Sequence, residues 1–436
     1  MKEGKLKFKQ IKAREILDSR GNPTVEVDLI TKKGTVRSNV PSGASTGKHE
    51  ALELRDGGKR YMGKGVSKAI KNVQILAKKI KSKELDLKKI DKYLVSQDTA
   101  KKKKFGANAH LAISMAVARA CALEKRMPLY KYISSIVNQK IKTNMRMPVP
   151  FANVINGGKH AEGALAIQEL MIVPTGARSF KEATQMVSET YHILKKIIEH
   201  TYGKSSTHVG DEGGFVPNLA NTYDALDLIQ QAIETAGYNK KIKIAIDAAA
   251  SEFYNNKKYQ IDNEQYFGLG LSDLYEDLVR NYPIISIEDP FAQDDFRNWN
   301  ILFQRVEKLF ENKDEMKTKL NEPIQIVGDD LTVSNPKRIK QIAREHLCNA
   351  LLLKVNQIGT VSQAIDAAIL AKQNKWNVMV SHRSGDTEDT FIADLAVGLG
   401  CGQIKLGAPC RGERTAKYNQ LIRIEEELGR VKYGWR

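Results

Sequence analysis

Cysteine is scarce in this chain, with four residues in 436. None forms a C-x-x-C pair. Cys121, Cys348, Cys401 and Cys410 sit mostly among apolar or small neighbours. That argues for free thiols in a reducing compartment, not a disulfide scaffold. Long apolar runs are missing too, and no stretch approaches the roughly 20 residues of a membrane span. The opening MKEGKLKFKQ has no apolar core of the kind a secretory leader carries, so a cytoplasmic protein is expected. No solenoid-period repeat, low-complexity tail or Walker-type phosphate loop is visible. Acidic residues are outnumbered, 51 against 69 Lys+Arg, which gives a net charge of +18 and a pI near 9.4. Such a field favours anions and attracts nucleic acid or acidic membrane non-specifically. The lysines are scattered in short clusters such as Lys101 to Lys104, with no zinc-finger spacing, RNP-type motif or basic zipper. They read as solvated surface, and no specific nucleic-acid partner is expected.

What the chain does have is concentrated between residues 242 and 356. Three short apolar segments each end in a carboxylate: KIKIAID at Asp247, PIISIED at Glu288 and PIQIVGDD at Asp329. The spacing is even, since 288 − 247 and 329 − 288 are both 41. A fourth segment, ALLLKVN, ends in a cation, Lys354. Unbroken Ile/Leu/Val runs of this length read as parallel strands buried on both faces, and the intervals leave room for crossover helices. Charged groups at the carboxyl ends of such strands are where a barrel or open α/β sheet places its chemistry. A single acid there often just caps the next helix. Three hard oxygen donors followed by a lysine suit Mg²⁺ and a base. Nearby cations and metal would hold the lysine's pKa down, so that part of it is neutral and can accept a proton.

The remainder divides in two. Residues 1 to about 40 alternate apolar and polar side chains around turn signals and predict a small antiparallel meander. Helical patterns follow from Val66 to Ile136. The segment 146–158, with two prolines and a Gly-Gly turn, looks like a crossing into a second domain. We therefore expect a capping domain over residues 1–140 and a catalytic domain over 146–436, the second long enough for a barrel of about 250 residues. Glu169, after Gln168, and Glu212, in GDEGG, read singly as surface acids, although the glycines suggest a carboxylate held on a tight backbone. His160 and His382 lie near glycines, and a lone histidine is more often structural. His382 is stronger, because Arg383 and Ser384 follow it in a combination suited to phosphate. With Lys405 ending a further strand, the set describes a site for a small, multiply anionic substrate.

Along nearly its whole length the chain resembles the enolase family. The matching stretches include DSRGNPTVE (18–26), PSGASTG (41–47), NGGKHA (156–161), QELMIVP (168–174) and GDEGG (210–214). They continue through SIEDPF (286–291), GDDLTV (328–333), LLLKVNQIGT (351–360), SHRSGDTEDTFIADLAVG (381–398) and GQIKLGAP (402–409). The resemblance implies an N-terminal α+β capping domain and an α/β barrel of order ββαα(βα)₆. It implies glycolytic and gluconeogenic chemistry, the reversible dehydration of 2-phosphoglycerate to phosphoenolpyruvate. By the same resemblance Asp247, Glu288 and Asp329 hold one Mg²⁺, and Ser45 joins a second that arrives with the phosphate. Lys354 takes the C2 proton, and Glu212, supported by Glu169, protonates the departing hydroxide. Lys405 faces the carboxylate, Arg383 and Ser384 the phosphate, and His160, His382 and Gln168 lie beside the substrate. The family also implies a homodimer or octamer. The alternatives are another enolase-superfamily enzyme, or a non-catalytic surface or nucleic-acid-binding protein. The chain departs from the family pattern at Glu162 and Gly163, at Asp386 where Glu is usual, and at Gly412 where Ser is usual.

Overall fold

The computed structural model describes residues 7–43, 47–160, 165–219, 221–311 and 323–435. Three antiparallel strands, β1 (Gln10–Leu17), β2 (Pro23–Ile30) and β3 (Thr35–Asn39), form the predicted meander in the order β1-β2-β3. Four helices follow: α1 (Ser67–Ile80), α2 (Leu87–Ser96), α3 (Ala107–Glu124) and α4 (Leu129–Val137). Alanine is the best helix former, and its small side chain lets neighbours approach closely. That is why the Ala-rich α3 can be buried on almost all sides, packed against β2, β3, α1, α2 and α4.

The second domain begins with β4 (Val149–Asn156) and β5 (Glu169–Val173), then α5 (Phe180–Tyr202) and α6 (Thr222–Thr235). β6 (Lys243–Asp247) leads into a small sheet of β7 (Tyr254–Asn255), β8 (Lys258–Ile261) and β9 (Glu264–Tyr266). Strand and helix then alternate: α7 (Gly268–Asn281), β10 (Ile284–Glu288), α8 (Phe296–Glu311), β11 (Gln325–Gly328), α9 (Pro336–Glu345) and β12 (Ala350–Leu353). After the short α10 (Val355–Ile358) come α11 (Val361–Gln373), β13 (Asn377–Ser381), α12 (Phe391–Leu399), β14 (Gln403–Lys405) and α13 (Gly412–Leu428). Eight of these strands close into a barrel in the order β4-β5-β6-β10-β11-β12-β13-β14. With the helices outside, this is ββαα(βα)₆.

One strand runs backwards. β5 is antiparallel to both β4 and β6, whereas the other neighbouring pairs are parallel. Reversal puts the first residue of β5, Glu169, level with Asn156 at the end of β4 and Asp247 at the end of β6. A strand in the usual direction would have sent Glu169 to the opposite mouth. Side-chain caps stop the barrel helices from fraying: Ser179, Asn221, Asn335 and Thr360 each accept from a backbone N–H of the helix they start. Each such cap is worth about 1 kcal/mol.

The small domain sits over the carboxyl ends of the barrel strands. Ser42 pairs with Gly385 as an isolated antiparallel bridge, and Asn356 donates to the carbonyl of Pro41. On α3, Arg119 forks onto both oxygens of Asp389 at 2.7 Å. No helix among the described residues is long and apolar enough to cross a membrane.

Candidate active site

Asp247 and Glu288 are the last residues of β6 and β10 and face each other in register. Asp329, Lys354 and His382 each follow directly on β11, β12 and β13, and Lys405 ends β14. Extended strands buried on both faces have nowhere to put a charge until the chain leaves the barrel, so the charges gather at its mouth. Glu169, Glu212, Asp247, Glu288 and Lys405 are each at most 3 % exposed, and Asp329 is 9 % exposed.

The Lys405 ammonium lies 2.7 Å from Asp247, 3.0 Å from Glu288 and 3.3 Å from Glu169. Burial disfavours its charge, yet the three acids outweigh burial and raise its pKa well above the ordinary lysine value. Lys354 pairs with Asp329, whose other oxygen accepts from Gln357 Nε2 at 2.7 Å. The protein's own groups do not lower this lysine as the cations and metal together were expected to. Burial, the largest influence, pulls Lys354 down, but Asp329 and Glu288 together overcome it and leave the pKa raised. The nearest charge decides, and it is an anion.

Glu212 stands on the tight turn Gly210–Gly214. Gly213 has φ +85°, and a Cβ at Gly214 would meet Asn156 Oδ1 at 2.4 Å, so the turn requires these glycines. Its carboxylate is 3.1 Å from His382 Nε2 and 3.8 Å from His160 Nδ1, and it accepts from Asn153 at 3.3 Å. Glu169 lies 3.5 Å from the same His160 nitrogen. Burial and the charge on Glu212 push Glu169 far up; burial also opposes the charge on Glu212, but His382 and His160 overcome it and hold Glu212 low. The donor atoms of His160, Glu169 and Glu212 lie within 4.8 Å of one another, so the charge on Glu212 disfavours a second charge on Glu169.

The tautomer of His382 follows from its partner. Arg414 Nη1 approaches Nδ1 at 2.6 Å, and a guanidinium only donates, so Nδ1 accepts and the ring proton is on Nε2, facing Glu212. Burial holds this histidine down to about 4. The unfolded chain binds a proton near pH 6.5 that the native state refuses. Stability is therefore expected to fall as pH drops from about 6.5 towards 4, by up to about 3 kcal/mol from this residue. Urea unfolding at a series of pH values should show that slope, and His382→Asn should flatten it. An equal slope in the variant would count against the assignment.

Arg383 is 4 % exposed and Ser384 5 %, and Ser384 Oγ lies 3.3 Å from His160 Nε2. Together with Lys354, Lys405, Glu169 and Glu212 they line a cavity of about 10 Å³, room for little more than a water centre. Gln168 lies there too, and its buried Oε1 has no hydrogen-bond partner among the described residues. Ser45 and Glu162 lie outside the described residues. Asp386 turns away from the cavity, binding Lys417 at 2.9 Å and accepting from the backbone N–H of Arg383 at 3.2 Å. A Cβ at Gly412 would meet nothing within 4 Å, so the space there does not demand glycine.

Several working parts were not singled out from the sequence. Arg414 is fully buried and holds His382 together with the carbonyls of Arg383, Ser384 and Asp211. Gln357, Asn153 and Glu50 were passed over as well. The available signal was that Gln357 lies within LLLKVNQIGT and that Arg414 follows Gly412 by two residues.

A family model described as "Enolase, C-terminal TIM barrel domain" matches residues 144–434, and "Enolase, N-terminal domain" matches residues 8–133. The chain belongs to the enolase family. It is a lyase of the enolase type, in a family that typically binds Mg²⁺. The residues can be tested against such an ion. Five buried carboxylates (Glu169, Glu212, Asp247, Glu288, Asp329) meet two lysine ammoniums, Lys354 and Lys405. Burial and Asp247 push Glu288 well up, so the site is short of positive charge. Hard carboxylate donors on three adjacent strands suit Mg²⁺. The fit is in donor chemistry and register. Among the described residues, the acidic groups whose donor atoms lie within 4.8 Å of one another are His160–Glu169–Glu212 and Asp289–Asp329–Asp330. Asp247, Glu288 and Asp329 are not among these groups; Lys405 bridges Asp247 and Glu288, and Lys354 pairs with Asp329. Asp289 is occupied otherwise: its oxygens accept from the backbone N–H groups of Asp329 and Asp330.

Proposed function

We propose that this enolase-family lyase catalyses the reversible, Mg²⁺-dependent dehydration of 2-phosphoglycerate to phosphoenolpyruvate. The observation that carries the reading is that one small cavity is lined by two lysines, a pair of buried carboxyl groups and a buried arginine. These are the groups that reaction needs. The Arg383 guanidinium and Ser384 hydroxyl bind the phosphate, and the Lys405 ammonium faces the substrate carboxylate. Lys354 Nζ accepts the proton from C2. The C–H electron pair is first held at C2 and the adjoining carboxylate, and then becomes the C2–C3 double bond as the C3–O bond breaks. The Glu169–Glu212 pair, with Glu212 the acid that meets both imidazoles, delivers a proton to the leaving oxygen, which departs as water. His382 stays neutral and, with His160, orients that pair. Asp247, Glu288 and Asp329 would hold Mg²⁺, which when bound adds positive charge beside the substrate carboxylate and offsets Asp329, the anion that keeps Lys354 protonated. Removing a proton beside a carboxylate builds up two negative charges, and this concentration of cations makes that affordable.

Conversion of 2-phosphoglycerate, followed by ultraviolet absorbance of the enol product, tests the reading. Turnover with Mg²⁺, abolished by chelator and restored by added metal, is expected. A folded, metal-loaded protein that leaves 2-phosphoglycerate unchanged would overturn it.

A further inference from the structure

Arg383 is already engaged from the other domain. Its Nη1 lies 3.2 Å from Glu50 Oε2 and its Nη2 3.4 Å from Glu50 Oε1, a two-oxygen fork across 333 residues of sequence. The two side chains are 4 % and 8 % exposed. A carboxylate and a phosphate present the same paired oxygens to a guanidinium, so both compete for one donor edge. Glu50 is itself held in place: its Oε1 accepts from the Gly47 N–H at 3.1 Å and from Gln357 Nε2 at 3.3 Å. The same Gln357 nitrogen donates to Asp329, while its Oε1 accepts from Ser334 and its backbone carbonyl accepts from the Ala51 N–H. One glutamine thus ties the Glu50 loop of the capping domain to the acidic end of the barrel.

We infer that Glu50 is a resident counter-ion of Arg383, which a phosphate group must displace in order to bind. This rests on the reading of Arg383 as the phosphate-binding residue. Glu50 then sets specificity as well as affinity. A ligand offering only a carboxylate replaces like with like and gains little, whereas phosphate, with charge near −2 and three acceptor oxygens, outcompetes it. The guanidinium stays charged and desolvated throughout, so the bare site never has to be formed.

Titration calorimetry of the full chain with inorganic phosphate, without divalent metal, tests this in three variants. Glu50→Gln keeps the size and the acceptor for Gly47 but removes the competing charge, and should bind phosphate about tenfold more tightly than the parent. Glu50→Asp retains the charge and should stay within about threefold of the parent. Arg383→Gln should lose binding. Thermal unfolding of each variant checks that the fold is kept. If Glu50→Gln binds no more tightly while Arg383→Gln still loses binding, the counter-ion role falls and the phosphate role of Arg383 stands. If Arg383→Gln binds phosphate like the parent, both fall.

Discussion

Lys354→Ala is expected to lower the turnover of 2-phosphoglycerate by about 10⁴-fold, the upper range for loss of a general base. The fold should survive the change. Lys354 ends the strand segment as the residue capping α10, its side chain is 14 % exposed, and Asp329 keeps its hydrogen bond from Gln357 when the ammonium is gone. Lys354→Arg separates the two things the lysine supplies. An arginine keeps the positive charge beside Asp329 but does not deprotonate in a protein, so it cannot accept the C2 proton. Both variants should therefore also stop exchange of the C2 hydrogen with heavy water, a readout that a role in charge alone would leave running in the arginine variant. Activity within tenfold of the parent in Lys354→Ala would sink the assignment of the base.

Arg414→Met is expected to cost about 3–5 kcal/mol of stability, the range for breaking a buried charged network. Its guanidinium is completely buried yet donates to His382 Nδ1 and to the carbonyls of Arg383, Ser384 and Asp211. Methionine fills the stem but leaves those acceptors unmade in a dry environment. A second consequence separates this from a general packing defect. The positive charge of Arg414 is one of the influences that keep His382 low, after burial. Removing it should raise the His382 pKa above about 4, and nuclear magnetic resonance titration of the ring protons reads that directly. Urea unfolding reads the stability. A variant as stable as the parent, with His382 unmoved, would show that Arg414 does not organise this wall of the site.

Much of the barrel was legible because burial leaves a simple trace. A strand covered on both faces must be apolar throughout, and its first charged residue marks the mouth; Asp247, Glu288 and Lys354 were readable in that way. The reversal of β5 was not. ELMIV has the same composition whichever way it runs, and direction depends on which neighbours supply its hydrogen bonds. Its order came only from the resemblance to the family.

The direction of the Lys354 shift has the same root. Sequence shows which charges are present but not which stands nearest, and electrostatic energy falls with distance and rises as water is excluded. The expected lowering counted a metal beside the cations; among the protein's own groups, contact with Asp329 raises it. Nothing in the local sequence of Glu50 or Arg414 shows what either side chain meets. Glu50 meets its partner from 333 residues away, and Arg414 works from the first turn of a helix whose pattern looks ordinary.

The sequence by itself determined the apolar strands, the charges at their ends, the family and hence the barrel, since local composition and order carry that information. Only the tertiary structure decided which acids stand side by side, which nitrogen of His382 carries hydrogen, and which anion Arg383 holds. Those depend on distances of a few ångströms between groups far apart in the chain, inside a pocket from which water is excluded.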